Sequence, residues 1–387
     1  MIKTLLSFVF IFSLISCKSN TVSANYLGQP YPNSIPVIFA PDIISKKGRL
    51  EHGISFTPDT QEVAFGILNK DDYSGQILYS KKIDENWITP IIFKSLKGES
   101  VFLPYFSPDG KSMLFAKNRS NANNGITDIW ILNKNRTIWN HPKKINIPIS
   151  TLSREASACL TLDNTIYFSS NRDGNGLANL YFSSLDSGQY LNTERINSIS
   201  SARDEESIFV SPNADYIIFS RYVTNKNGPD LFISYKDSQK KWIKPTVLDS
   251  TINTLNWERR PFISIDNKFM FFTKLTLNHS GIVESDIYWV NTEKIFKPFV
   301  FNPIIKKVIK VGKKTALEIP SDYFKDIDNE KLTINFNNQN TEWAIFDKEK
   351  MILIINPVEI GEYDLVFTAV DKFSNQTNDK IKIIVKK

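Results

Sequence analysis

The chain has 387 residues, enough for two domains. Phenylalanine (27) and tyrosine (14) dominate an aromatic fraction of 12%, which favours β structure, and no Leu-rich or Ala-rich amphipathic run competes with it. The formal charge of +6 is spread along the chain without a basic stripe, which excludes nucleic acid as the natural partner.

Met1-Ile2-Lys3 precedes an apolar run over residues 5–15, too short to persist as a membrane-spanning helix and ordered like an export signal. The run ends in Leu14-Ile15-Ser16-Cys17, which resembles the bacterial lipoprotein signal. That resemblance implies cleavage before Cys17, lipidation of the new N-terminus and a stable membrane anchor. Lys18 after it, with no Asp, implies the outer membrane, facing either the periplasm or the surface. An ordinary signal peptide with an incidental cysteine is the alternative. Cys159 is then the one cysteine left, so no intrachain disulfide is expected. Its place in the alternation Ala156, Ala158, Leu160 reads as a small core side chain.

Residues 18–35, with Gly28, Pro30 and Pro32, read as a tether. A short strand with no hairpin partner nearby follows at 36–40. Next comes a repeat. Thr57-Pro58-Asp59, Ser107-Pro108-Asp109, Thr161-Leu162-Asp163, Ser211-Pro212-Asn213 and Ser264-Ile265-Asp266 mark tight turns whose third residues lie 50, 54, 50 and 53 apart. A period near fifty with four strands per unit predicts a β-propeller. Innermost strands are expected at 54–57, 103–107, 156–161, 207–211 and 261–264, and each second strand carries one aromatic: Phe65, Phe115, Phe168, Phe219 and Phe272. Trp87, Trp139, Tyr190 and Trp242 mark the outer strands, where a following Pro is tolerated on an edge. The fifth unit lacks that outer strand, and the N-terminal strand fits the gap. The fold class is therefore all-β, with five blades closed by the N-terminal strand; six blades is the alternative count.

Phe168-Ser169-Ser170-Asn171-Arg172-Asp173-Gly174, followed by Asn179-Leu180-Tyr181, resembles the WD40-like (PD40, TolB-like) propeller repeats of bacterial envelope proteins, as does the second unit. The resemblance covers residues 36–292; the first and fifth units lack the turn Gly and the Arg. Over residues 303–387, alternating runs at 315–319, 332–336, 351–355, 363–370 and 380–385 predict a β-sandwich. Asp326-Ile327-Asp328, Gly361-Glu362-Tyr363-Asp364-Leu365 and Ala369-Val370-Asp371 resemble the cadherin-like or immunoglobulin-like modules of bacterial surface proteins. Asp326, Asp328 and Asp371 could supply oxygens to calcium; a solvated acidic turn is the alternative, and no other cofactor is expected.

A glutamate precedes the innermost strand at Glu51, Glu155, Glu205 and Glu258, while Glu99 is displaced by two. Successive strands are antiparallel, so these acids should share one rim of the disc with Arg119, Arg172 and Arg221. Repetition fits a structural ion pair, because a catalytic residue is needed once and a structural one in every blade. Convergence on the channel mouth would instead resemble the five-bladed glycosidases, whose chemistry needs two carboxylates about 5 Å apart or about 6.5 to 9.5 Å apart. His52, His141 and His279 stand in different units, which argues against zinc, and no G-x-S-x-G elbow is present. The leading expectation is a lipid-anchored, non-enzymatic scaffold that binds an envelope protein or a glycan at this rim. The alternative is a polysaccharide-active enzyme with its carboxylates at the channel mouth.

Overall fold

The structure, a computed structural model, describes residues 25–119, 125–223, 228–328, 331–337 and 341–387. The export signal, Cys17 and the start of the expected tether lie outside the described residues. The fold is all-β.

Five sets of antiparallel strands, each called a sheet below, follow one another between residues 50 and 291 among the described residues, and the first and fifth join through one parallel pairing of Leu50 with Ser285. The first contains Leu50–Phe56, Glu62–Leu68 and Gly75–Ile83; the second Val101–Phe106, Ser112–Asn118 and Thr127–Asn135; the third Glu155–Leu160, Ile166–Ser170 and Asn179–Ser183. Glu205–Val210, Tyr216–Val223 and Gly228–Tyr235 make the fourth, and Trp257–Ile263, Phe269–Asn278 and Gly281–Asn291 the fifth. Short outer strands complete the first four. Innermost strands pack side by side in chain order, and Trp257–Ile263 returns to Leu50–Phe56. The arrangement is propeller-like.

Four of the five turns between the first two strands are built the same way, and in the fourth unit the Ser211 hydroxyl instead accepts from the amides of Asp215 and Tyr216. Asp59, Asp109, Asp163 and Asp266 accept hydrogen bonds from the hydroxyl two residues earlier and from the amide two residues later, an Asx-turn that replaces missing strand hydrogen bonds. The next position needs positive φ in every unit, and Gly110 supplies it in the second; Thr60, Asn164, Ala214 and Asn267 adopt it elsewhere. The five second-strand phenylalanines are fully buried. Each contributes roughly 1.5 to 3 kcal/mol of burial, so this aromatic is what fixes which face of the second strand turns inward.

Val37–Ile38 pairs antiparallel with Gly281–Asn291, Val37 opposite Trp289 and Ile38 opposite Tyr288. It takes the outer place that the fifth unit lacks in sequence order. The expected tether differs from what is observed. From Tyr26 onward the segment joins the body: Tyr26 packs against Phe56, Phe269, Phe271 and Trp289 at 5.2 to 6.0 Å between ring centroids, because burying one aromatic outweighs the turn preferences of its Gly and Pro neighbours.

Beyond residue 303, Lys306–Lys310, Gln376–Lys386, Gly361–Val370 and Thr333–Asn337 form one sheet, and Thr315–Glu318, Ile352–Ile355 and Ala344–Asp347 another. They share a core that includes Leu353, Phe367 and Ile381. The connection is packed. Tyr235 and Phe299 stack at 4.2 Å and 4°, and the Asn375 amide donates to the carbonyls of Glu293 and Phe296. Asp371 is committed to a turn, accepting from the amides of Phe373 and Asn375. Asp326 is buried, and burial together with Asp328 pushes its carboxyl up to about 7. Among the described residues no three His, Cys, Asp or Glu side chains form a group that could hold a metal ion, so the expected calcium ligands are not assembled as such a group.

Candidate binding site at the channel mouth

The repeated glutamates are all fully buried. Each sits at the start of an innermost strand and accepts from a hydroxyl four residues earlier: Thr151 to Glu155 at 2.6 Å, Ser201 to Glu205, and Thr254 to Glu258 at 2.6 Å. In the first sheet Arg49 replaces that hydroxyl, its Nε 2.6 Å from Glu51. Arg172 reaches Glu155 at 3.4 Å and Arg221 reaches Glu205 at 2.9 Å. Lys274 stands opposite Glu258 in the strand pair, and Lys117 takes up the displaced Glu99 at 2.8 Å.

The same cations lie over sheet aromatics. Arg49 covers Phe65, Lys117 covers Trp130, Arg172 covers Tyr181, Arg221 covers Phe232 and Lys274 covers Tyr288, at 4.1 to 5.6 Å from the ring centroids. A desolvated contact of this kind is worth up to about 2 kcal/mol. Four of the five sheets thus carry one acid, one cation and one ring in contact, and in the fifth the cation lies over its ring and opposite the acid in the strand register. Arg119 acts between sheets: it holds Asp128 with Nε and Nη2 at 3.2 and 2.7 Å and donates to the carbonyls of Thr151, Leu152 and Ser153. Burial pushes Glu51 up to about 7 against the pull of Arg49, and raises Glu205 against Ser201 and Arg221. The outer tryptophans also pack: Trp139 meets Phe93 and Phe106, and Trp242 meets Tyr167.

Sequence reasoning missed the residues that face the opening. Each innermost strand carries a β-bulge two residues past the glutamate position, where φ is positive: +83° at Gly53, +57° at Leu103, +50° at Ser157, +55° at Ser207 and +56° at Arg260. A bulge re-aims the side chains around it. From these positions His52, Phe102, Leu103, Ala156, Arg259 and Arg260 line a cavity of about 420 Å³ bounded by the first, second, third and fifth sheets.

One wall is apolar, formed by Leu68, Phe102, Leu103, Leu277 and Ile282. The hairpin of Phe269–Asn278 and Gly281–Asn291 extends it, and the Tyr73 hydroxyl accepts from the Ile282 amide at 3.4 Å. The other wall is cationic, with Arg154, Arg259 and Arg260. Glu206 lies behind them and accepts from Arg154 Nη1 at 2.8 Å and Arg259 Nη2 at 2.9 Å. Burial alone would raise the Glu206 carboxyl, but Arg259 and Arg154 outweigh it and hold it well below its ordinary value. Arg260 donates to Ser207 at 2.7 Å, while its Nε and that of Arg259 are buried without a hydrogen bond. Burial and neighbouring Arg259 pull Arg260 down to about 9, and burial with the same arginines keeps His52 neutral.

Two buried groups with strong shifts next to the arginines differ in what they can do. An acid held well below its ordinary value cannot serve as a proton donor near neutrality. Cys159, deeper on the axis, donates to the Ile208 carbonyl at 3.1 Å, and burial pushes its thiol up to about 12, so it is no nucleophile. A signal was present in the sequence. The two positions after each glutamate read His52-Gly53, Ala156-Ser157, Glu206-Ser207 and Arg259-Arg260, and charge appears there in only two units.

No protein family and no curated protein matches this sequence. Among solved structures it is similar to TolB from Acinetobacter baumannii at 17% identity and a TM-score of 0.38, covering 63% of this chain and 57% of that one. An endo-arabinase from Bacteroides thetaiotaomicron follows at 12% and 0.41, over 63% and 95% of the two chains. An α-L-arabinofuranosidase from Podospora anserina gives 11% and 0.42, over 64% and 94%. Similarities at this level carry no argument about what the chain binds or does.

Proposed function

We propose that this chain is a cell-envelope binding protein: a five-bladed β-propeller closed by its N-terminal strand, followed by a β-sandwich, lipid-anchored through Cys17, and non-enzymatic. The ligand sits at the channel mouth, on the disc face whose rim holds Glu51, Glu155, Glu205, Glu258, Arg119, Arg172 and Arg221. One observation carries this reading: the repeated acids are buried and tied to hydroxyls or cations of their own sheet, while the open cavity beside them is lined by arginines and apolar side chains. The ring of innermost strands and the outer pairing of Val37–Ile38 support the blade count. Among the described residues no helix is long and apolar enough to cross a membrane, so the anchor rests on the Leu14-Ile15-Ser16-Cys17 motif.

A polysaccharide-active enzyme is the second reading, and Glu51 favours it: a carboxyl near 7 with one oxygen lacking a hydrogen bond is what a general acid needs. Its full burial weighs against it. The test is reducing-end release from a panel of neutral and acidic polysaccharides. No release above the background of a quadruple Glu-to-Gln variant at the four rim acids is expected. Turnover by the wild type that is abolished in E51Q or E155Q, with folding retained, would overturn the binding reading.

A further inference from the structure

The cationic wall is unusual in its shortage of counter-charge. Three guanidiniums share Glu206, and the next carboxylate, Asp204, accepts from the Ala178 amide at 2.7 Å and acts on Arg154 through its charge. Arg260 is buried with a single serine as its partner. A buried guanidinium so placed is stabilised by any anion that can reach it in bidentate fashion. The opposite wall sets the second requirement. Leu68, Phe102, Leu277 and Ile282 offer no side-chain hydrogen bond. Such a wall suits an apolar group and leaves the hydroxyls of a sugar ring without partners on that side. A volume of about 420 Å³ lies within the ~300 to 1,000 Å³ that small ligand sites occupy, and it suits one or two amino-acid residues.

We infer that the channel mouth recognises a carboxylate carried beside an apolar group, as the C-terminal end of a polypeptide presents it, with Arg154, Arg259 and Arg260 holding the carboxylate and Phe102, Leu277 and Ile282 the apolar side chain. This rests on the binding reading above and supplies its ligand class. Arg154 is the accessible member of the three, since its side chain is 30% exposed where that of Arg259 is 12% exposed. It is the arm that meets an incoming anion first.

The experiment is calorimetric titration of the folded chain, residues 21–387, with three probes: acetyl-Gly-Leu-Phe as free acid, the same peptide as C-terminal amide, and galacturonic acid. The free acid should bind at least about tenfold more tightly than the amide, which corresponds to losing one charged partner at a desolvated site. R154Q should bring the free acid toward the amide, and I282D should weaken both peptides. Should R154Q not fold, salt decides: the free acid should weaken between low and high ionic strength and the amide should not. Equal binding of acid and amide, or no peptide binding up to about 1 mM, overturns the inference. Binding of galacturonic acid but not of the peptides also overturns it and assigns the anion site to a glycan. None of these failures touches the hydrolysis assay, on which the binding reading stands or falls separately.

Discussion

Glu205 and Glu206 are adjacent, chemically identical and nearly or fully buried, yet their charges should matter in opposite ways. Glu206 is the counter-ion shared by Arg154 at 2.8 Å and Arg259 at 2.9 Å, with Arg260 beside them. Replacing it by glutamine keeps the shape and removes the charge, leaving three guanidiniums facing one another. Breaking a buried pair of this kind costs about 3 to 5 kcal/mol. For a domain of this size that is on the order of 10 °C in melting temperature. Glu205, by contrast, is raised by burial against Ser201 and Arg221, so E205Q discards a charge that the site already disfavours and should cost about 1 kcal/mol at most. Urea titration of both variants at pH 7, followed by tryptophan fluorescence, measures the difference. Adding sulfate should recover part of the E206Q loss, beyond its general effect on E205Q, because an anion can take the carboxylate's place. E206Q as stable as the wild type, or E205Q the worse of the two, would refute the account of the cationic wall.

Glu51 gives a pH test. Its carboxyl is raised from 4.5 to about 7 in the folded chain, so the folded state binds the proton more readily, and its contribution to stability is present below about 4.5 and lost as pH rises through 7. Wild type should therefore lose up to about 3 kcal/mol relative to E51Q between those limits; parallel urea midpoints across the range would show that the carboxyl is not raised. Glycine 228 gives a packing test. A Cβ on Gly228 would lie 2.2 Å from the Trp257 indole, so G228A must displace the ring from Tyr222 and Arg259 and should cost on the order of 1 to 3 kcal/mol. Unchanged tryptophan emission together with an unchanged midpoint would contradict that packing.

Much of the architecture was legible because each sheet must solve the same problem. A hydroxyl and an aspartate close four of the five turns, one phenylalanine faces inward on every second strand, and a glutamate begins nearly every innermost strand. Solutions that recur leave a period, and a period can be read. The turn glycine was a weaker guide, since Thr60, Asn164, Ala214 and Asn267 hold the positive φ that Gly110 holds in the second unit. Tyr26 was hidden among Gly, Pro and Asn residues, where local composition said tether and a distant aromatic cluster decided otherwise.

What repetition reveals about structure, it conceals about function. A ligand is not five-fold symmetric, so the residues that meet it must differ from sheet to sheet, and a search for what recurs passes over them. His52, Phe102, Ala156, Glu206 and Arg259 occupy equivalent places after the glutamate position, and five different side chains stand there. The bulge explains why this position is free to vary. It takes the residue and its successor out of the regular strand register in which the phenylalanines are held. The strain of four non-glycine residues at positive φ, of order 1 kcal/mol each, is tolerated in four of the five sheets, with Gly53 at the same place in the first, which makes the bulge a property of the scaffold. Arg260 alone combines that backbone with a buried charge short of counter-charge. Scaffold strain and unmatched charge coincide in the fifth sheet, where the Arg259-Arg260 pair breaks the repeat, and the proposed anion site draws on that coincidence.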